Sequence, residues 1–294
     1  MVTKALKRWV RGKTVFDYIL ILIFILLSAV TIIPFLNIVA ISLSGYKEVV
    51  KSTSMLWPRD FSIAAYFIVG KPDIYKSFLL TVFIVVTSTV LHLVLCLFSA
   101  YAISNKNVPG RQIMLVILII PMLFGGGFVP YYLVIKALKM IDTIWVFIIP
   151  GMVSSFSIIL MKNFLIQIPA SLEESARMDG AGVFAILFKI IAPLSKPILA
   201  TLALFYGVGK WNDWFTGVMF INNPKLLPIQ NLLHEMNNIG GDPTGPSIFR
   251  PDAFLMDVSV KMAVTIIATI PIVAVYPFLQ RYFVKGIFMG SVKA

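Results

Sequence analysis

Long apolar stretches separated by short polar ones set the pattern of this chain. A bilayer core takes about 20 apolar residues per helix. Six stretches meet that length, over residues 16 to 43, 78 to 103, 112 to 135, 143 to 165, 197 to 221 and 261 to 280. The pattern predicts an all-α polytopic membrane protein with six transmembrane helices. A membrane domain is expected over residues 16 to 283, flanked by an N-terminal segment of residues 1 to 15 and a tail of residues 284 to 294. The first stretch, Tyr18 to Ser44, is longer than the roughly 7 to 15 residues of a signal-peptide core and ends without a small-residue cleavage pattern, so it is expected to remain as a helix.

Between the spans lie two kinds of loop. Those at 44 to 77 and 222 to 260 are long, and the second is rich in turn formers, as in Asn222-Asn223-Pro224 and Gly240 to Pro246. Within it, Gln230 to Met236 is read as a short helix with Leu232, Leu233 and Met236 on one face, suited to docking against another protein; a disordered connector is the alternative. The segment at 169 to 197 differs in kind. Ser171 followed by Glu174 reads as a capping box opening a short helix from Leu172 to Met178 or Asp179. Gly180 and Gly182 break it, and a second amphipathic stretch from Val183 to Ile191 is expected to end before Pro193. Periodicity alone also fits a helix lying in the membrane interface.

Composition sharpens this picture. Of 294 residues, 59% are hydrophobic and 13% charged, and mean hydropathy is +0.92, which excludes a water-soluble domain. The net charge of +12 does not point to nucleic acid, because the basic residues sit at the ends of apolar segments and not in one stripe. On the side holding both termini and the 104–111 and 166–196 loops, fourteen basic residues, from Lys4 to Lys293, oppose only Glu173, Glu174 and Asp179. The other side carries nine basic residues against eight acids. The positive-inside rule therefore predicts both termini in the cytoplasm.

Candidate chemistry is sparse. Cys96 lies alone in an apolar run and reads as a packed thiol, with no disulfide or metal cluster. His92 and His234 are far apart in sequence, which argues against an integral membrane enzyme. His92 reads as a packed or hydrogen-bonded residue, not a proton relay. Charges inside a span are costly, so Lys210 and Asp213 mark a place of interest; three residues apart, they are expected to pair. Two readings stay open for them: a structural ion pair flanked by belt tryptophans, or the outer mouth of a substrate path lined by Trp211, Asn212, Asp213 and Trp214. The third span is interrupted by Pro121, Gly125, Gly126, Gly127 and Pro130, which suits either a gate or a kinked helix packed on a neighbour through small residues.

The run Glu174-Ser175-Ala176, Asp179-Gly180-Ala181, then Ile191-Ala192-Pro193-Leu194 and Pro197, resembles the EAA signature of ABC-importer permeases, with Ser175 and Ala192 as its two departures. Val108 to Arg111, Ile120 to Leu133, Trp57-Pro58 with Phe61, Ser62 and Tyr66, and the ending Tyr282 to Lys293 resemble the maltose-permease-type, carbohydrate-uptake subfamily, in its LplC and YtcP polysaccharide branch. The resemblance implies the type I permease fold and a bacterial cytoplasmic membrane location. It also implies a second, non-identical permease, two copies of a cytoplasmic ATPase that bind ATP and Mg, and an extracellular sugar-binding lipoprotein. Glu173, Glu174, Ser175, Ala176, Arg177, Asp179, Gly180 and Ala181 would then form the coupling contact with the ATPase, and the 222–260 loop would reach the binding protein. No G-x-x-x-x-G-K-[ST] phosphate loop is present, so ATP hydrolysis is expected to reside in the partner and this chain to have no catalytic site of its own. An ion-coupled secondary transporter using Lys210 and Asp213 is the alternative.

Overall fold

A computed structural model describes residues 14–52, 54–70, 72–238 and 258–287. All regular structure among them is helical, apart from one isolated bridge between Ser44 and Phe61. The main helices are α1 (Val15–Ser42), α2 (Pro72–Ser104), α3 (Arg111–Leu123), α4 (Phe128–Ala137), α5 (Ser155–Leu165), α6 (Ala170–Met178), α7 (Val183–Leu194), α8 (Lys196–Trp211), α9 (Phe215–Phe220), α10 (Ile229–Asn238) and α11 (Val258–Ile287). Short helices at Tyr46–Lys51, Ala64–Val69 and Trp145–Ile148 lie between them.

Three helices, α1, α2 and α11, hold stretches long and apolar enough to cross a bilayer, and by length and composition there are up to six crossings if each of three sharply bent helix pairs counts as one. The first, second and sixth spans thus stand where the apolar pattern puts them. In α1 none of the most apolar window is buried within the chain, so rings and branched chains such as Phe24 and Ile25 face outward. In water such a surface would be prohibitive; in lipid it costs nothing.

The other three spans are broken: the third where its glycines interrupt the apolar run, as the sequence suggests, and the fourth and fifth where apolar length alone suggested continuous helices. Over residues 112 to 135, α3 and α4 meet at 117° across Phe124 to Gly127. With 13 residues α3 reaches only about 20 Å, short of a bilayer core. Gly127 sits at φ 78°, which glycine adopts freely, whereas Pro130 lies within the first turn of α4 and breaks nothing. Over 143 to 165, Pro150 and Gly151 separate Trp145–Ile148 from α5, Gly151 taking φ 81°. Over 197 to 221, the helix stops at Trp211 and resumes at Phe215. The Asp213 carboxylate takes the Thr216 N–H at 3.1 Å, a local bond that competes with helix continuation. Pro193 also behaves unexpectedly. The chain widens into a π turn over Leu187–Ile191 and carries the helix through the proline to Leu194, then turns by 77° into α8.

By contacts the chain forms two compact units, one from Met1–Gly70 with Pro251–Ile267, the other from Lys71–Arg250 with Ala268–Ala294. In the first, Ala40, Ile41, Val49 and Met55 pack with Val258 and Met262. The Ser44 hydroxyl ties the turn after α1 by donating to the Ala40 carbonyl and accepting from the Arg59 N–H. In the second unit, α2 is the spine, packed along α5 and α8. One cluster of this unit gathers Leu97, Ala100, Met161, Leu165, Ile186 and Leu202, and another gathers Ile84, Ile135, Phe147, Phe220 and Leu227. Cys96 and His92 are buried here as the sequence suggests. His92 donates through Nδ1 to the Met152 carbonyl at 2.7 Å and stacks on Tyr206.

Candidate functional site

The segment after α5 builds a polar helix set across the end of a span. The chain turns at Ile166 to Pro169, and α6 leaves at 75° to α5. The helix begins at Ala170 with Pro169 at its cap, so Ser171 is already inside the first turn and the expected Ser171–Glu174 capping box does not form. Proline before the first turn serves because its fixed φ of −58° lets the Leu172 N–H reach its carbonyl.

The two faces of α6 do different work. Toward the chain, Glu173 accepts from the Tyr101 hydroxyl at 2.8 Å and from Arg177 at 2.6 Å, while Ala176 and Ala181 pack against the Leu97–Met161 cluster. Glu173 drives the Arg177 guanidinium further above its already high range through their hydrogen bond and opposite charges. Away from the chain, Ser171, Glu174, Ser175 and Met178 are exposed, Met178 at 89%. Of the residues singled out as contacts, Glu173 and Ala176 therefore anchor the helix, and Glu174 and Ser175 are presented.

The helix ends in a Schellman turn. The Ala181 N–H donates to Ala176 O at 2.9 Å and the Gly180 N–H to Arg177 O at 3.0 Å, with Gly180 at φ 83°. Asp179 occupies the C-cap and is exposed.

Tyr101 was not legible as part of this site. It lies 72 residues from Glu173 in an apolar span, and no local spacing links them. Removing its hydroxyl in Tyr101→Phe breaks a bond to a charged acceptor, worth about 1.5–3 kcal/mol where such bonds are shielded and less at this half-exposed site. Uptake is expected to fall about threefold with normal membrane insertion, measured as transport per inserted chain.

The second candidate site is the turn after α8. Lys210 donates to the Phe147 carbonyl at 2.8 Å, reaches the carboxylate of Asp213 at 3.8 Å, and so pins the broken fourth span to the fifth. The pair forms as expected, though Asp213 lies beyond the helix end. The Asp213 carboxylate also accepts the Thr216 hydroxyl at 2.8 Å. Trp211 turns inward: it is 6% exposed, and its indole donates to Ala268 O at 2.9 Å. Asn212 and Trp214 face outward, and Trp214 stacks on His234 at 4.1 Å. Nearby, Asp142 at φ 59° accepts the N–H groups of Asn222 and Asn223, fixing the start of the 222–260 loop, another role that no short spacing reveals.

The helix expected at Gln230 to Met236 is α10. Its Leu232, Leu233 and Met236 do share a face, but that face is buried within the chain, together with Ile229, and is not offered to a partner. Gly240 to Pro246 lie outside the described residues. At the third-span break, a side-chain carbon added to Gly125 or Gly126 would meet nothing within 4 Å, and α3 has no buried residue, so these small residues are not packed against this chain. Pro121 lies inside α3, two residues before its end.

Residues 67–289 match the family described as binding-protein-dependent transport system inner membrane components. The chain belongs to that family. Among similar proteins, LplC of Bacillus subtilis is 39% identical over 284 residues, covering 96% of each chain. The B. subtilis polygalacturonan/rhamnogalacturonan transport system permease YtcP is 38% identical over 283 residues, 95% of this chain and 98% of that one. A chain from the crystal structure of a bacterial ABC transporter that imports the acidic polysaccharide alginate superposes with a TM-score of 0.83 at 28% identity, over 93% of this chain and 98% of that one. This permease is thus a multi-pass subunit of an ABC importer, with the permease fold that the EAA resemblance implies. These matches favour the ATP-driven reading over the ion-coupled one.

Proposed function

We propose that this permease moves an oligosaccharide, released by an extracellular binding lipoprotein, through a path it forms with a second, non-identical permease, and that α6 is its contact with a cytoplasmic ATPase. The cargo class rests on relatives whose names specify polygalacturonan, rhamnogalacturonan and alginate. The carrying observation is the division of labour on α6. Glu173 and Ala176 hold the helix to α2 and α5, while Glu174, Ser175 and Met178 stand free on the opposite face. A rigidly attached helix with one exposed face can pass a partner's movement on to the spans behind it.

ATP and Mg belong to the two ATPase copies, and this chain does no chemistry of its own. The fourteen-to-three excess of basic residues over acids supports a cytoplasmic position for α6 and both termini. The path opens on the far side at the turn carrying Asn212 and Trp214, with Asp213 holding that turn in shape. The Gly125–Gly127 break, free of packing within the chain, acts as a hinge with Pro121 beside it.

The test is the energy source. In proteoliposomes holding the complete transporter, uptake should stop when the ATPase is made hydrolysis-deficient and persist when ionophores collapse the proton and sodium gradients. The reverse result would establish the ion-coupled alternative. Asp213→Asn leaves the half-buried Lys210 ammonium without its counter-charge, and breaking such a pair costs more than the pair is worth. Uptake by this variant should fall about tenfold while the ATPase still copurifies; uptake at the unmodified rate would remove Asp213 from the account.

A further inference from the structure

Four aromatic side chains stand half-exposed around the turn that follows α8. Phe128 opens α4 at 43% exposure and Tyr131 follows one turn later at 41%, while Trp214 and Phe215 flank the start of α9 at 41% and 45%. Three of them are in direct contact. Phe128 meets Phe215 edge-on at 5.7 Å, and Phe215 meets Trp214 edge-on at 5.9 Å. Behind Trp214, the His234 ring lies flat against it, with 13° between planes. Tyr131 meets Phe220 edge-on at 5.8 Å, and Phe220 also meets Phe128 at 6.3 Å. The amides of Asn212 and Gln230 meet at 3.4 Å beside the same rings.

Rings that face acyl chains have apolar neighbours, and a packing cluster is buried. These rings are neither: they stand half-exposed, and the turn that carries Trp214 and Phe215 also carries the exposed Asn212, bonded to Gln230, and the Asp213 carboxylate. Aromatic faces suit the C–H faces of a pyranose ring, and amide and carboxylate groups suit the hydroxyls around its edge. A surface combining both is a poor site for a lipid chain and a good one for a saccharide.

We propose that Phe128, Tyr131, Trp214 and Phe215 form a stacking track for pyranose rings of the cargo, with Asn212 and Gln230 at its polar edge. The track rests on the reading of this turn as the mouth of an oligosaccharide path and adds residues of α4 and α9 to it. Because Phe128 directly follows Gly127, the track ends at the third-span hinge, and movement there would change the spacing between Phe128 and Phe215.

The experiment uses the complete transporter in proteoliposomes and a set of linear trisaccharides, neutral and uronate, delivered by the binding protein. The readout is saccharide moved per ATP hydrolysed. Phe215→Leu and Trp214→Leu keep apolar bulk and remove the flat face, and each should lower the ratio about tenfold; Phe215→Tyr, which keeps the ring, should stay within twofold of the unmodified protein. Phe128→Leu, on a separate element, should repeat the fall and serves if the α9 variants fail to assemble. Ratios within twofold for the leucine variants would overturn the track, as would a fall in Phe215→Tyr equal to that in Phe215→Leu. An unmodified transporter that moves none of the trisaccharides would overturn the cargo reading itself, and the track with it.

Discussion

Replacing Gly180 by proline is expected to abolish uptake while leaving the chain inserted in the membrane. Gly180 sits at φ 83°, and proline is locked near −65°. The substitution also removes the N–H that donates to Arg177 O, the first of the two bonds that close the turn. With that closure lost, α6 frays from its C-terminal end and Ala181 leaves its packing against the inner cluster. Gly180→Ala is the graded control. A side-chain carbon there meets nothing within 4 Å, so the cost is the left-handed strain alone, about 1–2 kcal/mol, and transport should be reduced but measurable. Insertion is read from membrane yield and coupling from copurification of the ATPase. Normal copurification and transport by Gly180→Pro would remove α6 as the coupling element. Glu174→Ala should lose uptake with α6 intact, because Glu174 makes no contact that holds the helix in place.

The second large effect is expected on the opposite side. A side-chain carbon on Gly217 would overlap the side-chain amide of Asn231, which is buried and donates to Trp214 O at 2.7 Å. Asn231 has little room to give, since it is 4% exposed and held by that bond. Gly217→Ala should therefore push α10 off its seat, at about 1–3 kcal/mol for an overpacked core. The thermal midpoint of the solubilised transporter should drop by several degrees. Stimulation of the ATPase by loaded binding protein should weaken, because α10 and the Trp214–His234 stack move together. An unchanged midpoint would mean that α10 is not held as described.

Spans one, two and six were legible because their apolar runs are continuous, and the local bonds that Thr31, Ser88 and Thr265 make to backbone carbonyls one turn back leave the helix unbroken. The fourth and fifth were visible only as apolar length, while the third showed its interruption at Gly125 to Gly127 but not the 117° angle across it. What breaks them is backbone chemistry at single residues: Gly127 and Gly151 in positive φ, and Asp213 bonding to the Thr216 N–H. The short helix in the 169–197 segment was foreseen within two residues, but its start was misjudged because Pro169 does the capping that Ser171 was expected to do. Which residues of the signature face inward could not be read from spacing, since Tyr101 and the Leu97–Met161 cluster come from elsewhere in the chain. In the same way Trp211 and Trp214, both plausible path residues by type, are separated by one helix end into a buried anchor and an exposed ring.

Coupling requires that α6 meet the ATPase, and Met178 allows a direct measurement. It is 89% exposed at the end of α6, and the chain's one native thiol, Cys96, is buried and 1% exposed, so a cysteine at position 178 would be the reactive one. In the assembled transporter, Met178→Cys treated with a short bifunctional thiol reagent should cross-link to the ATPase subunit, with a yield that changes when ATP is added. Efficient labelling of Met178→Cys by a soluble maleimide with no cross-link to the ATPase, with or without ATP, would contradict the account.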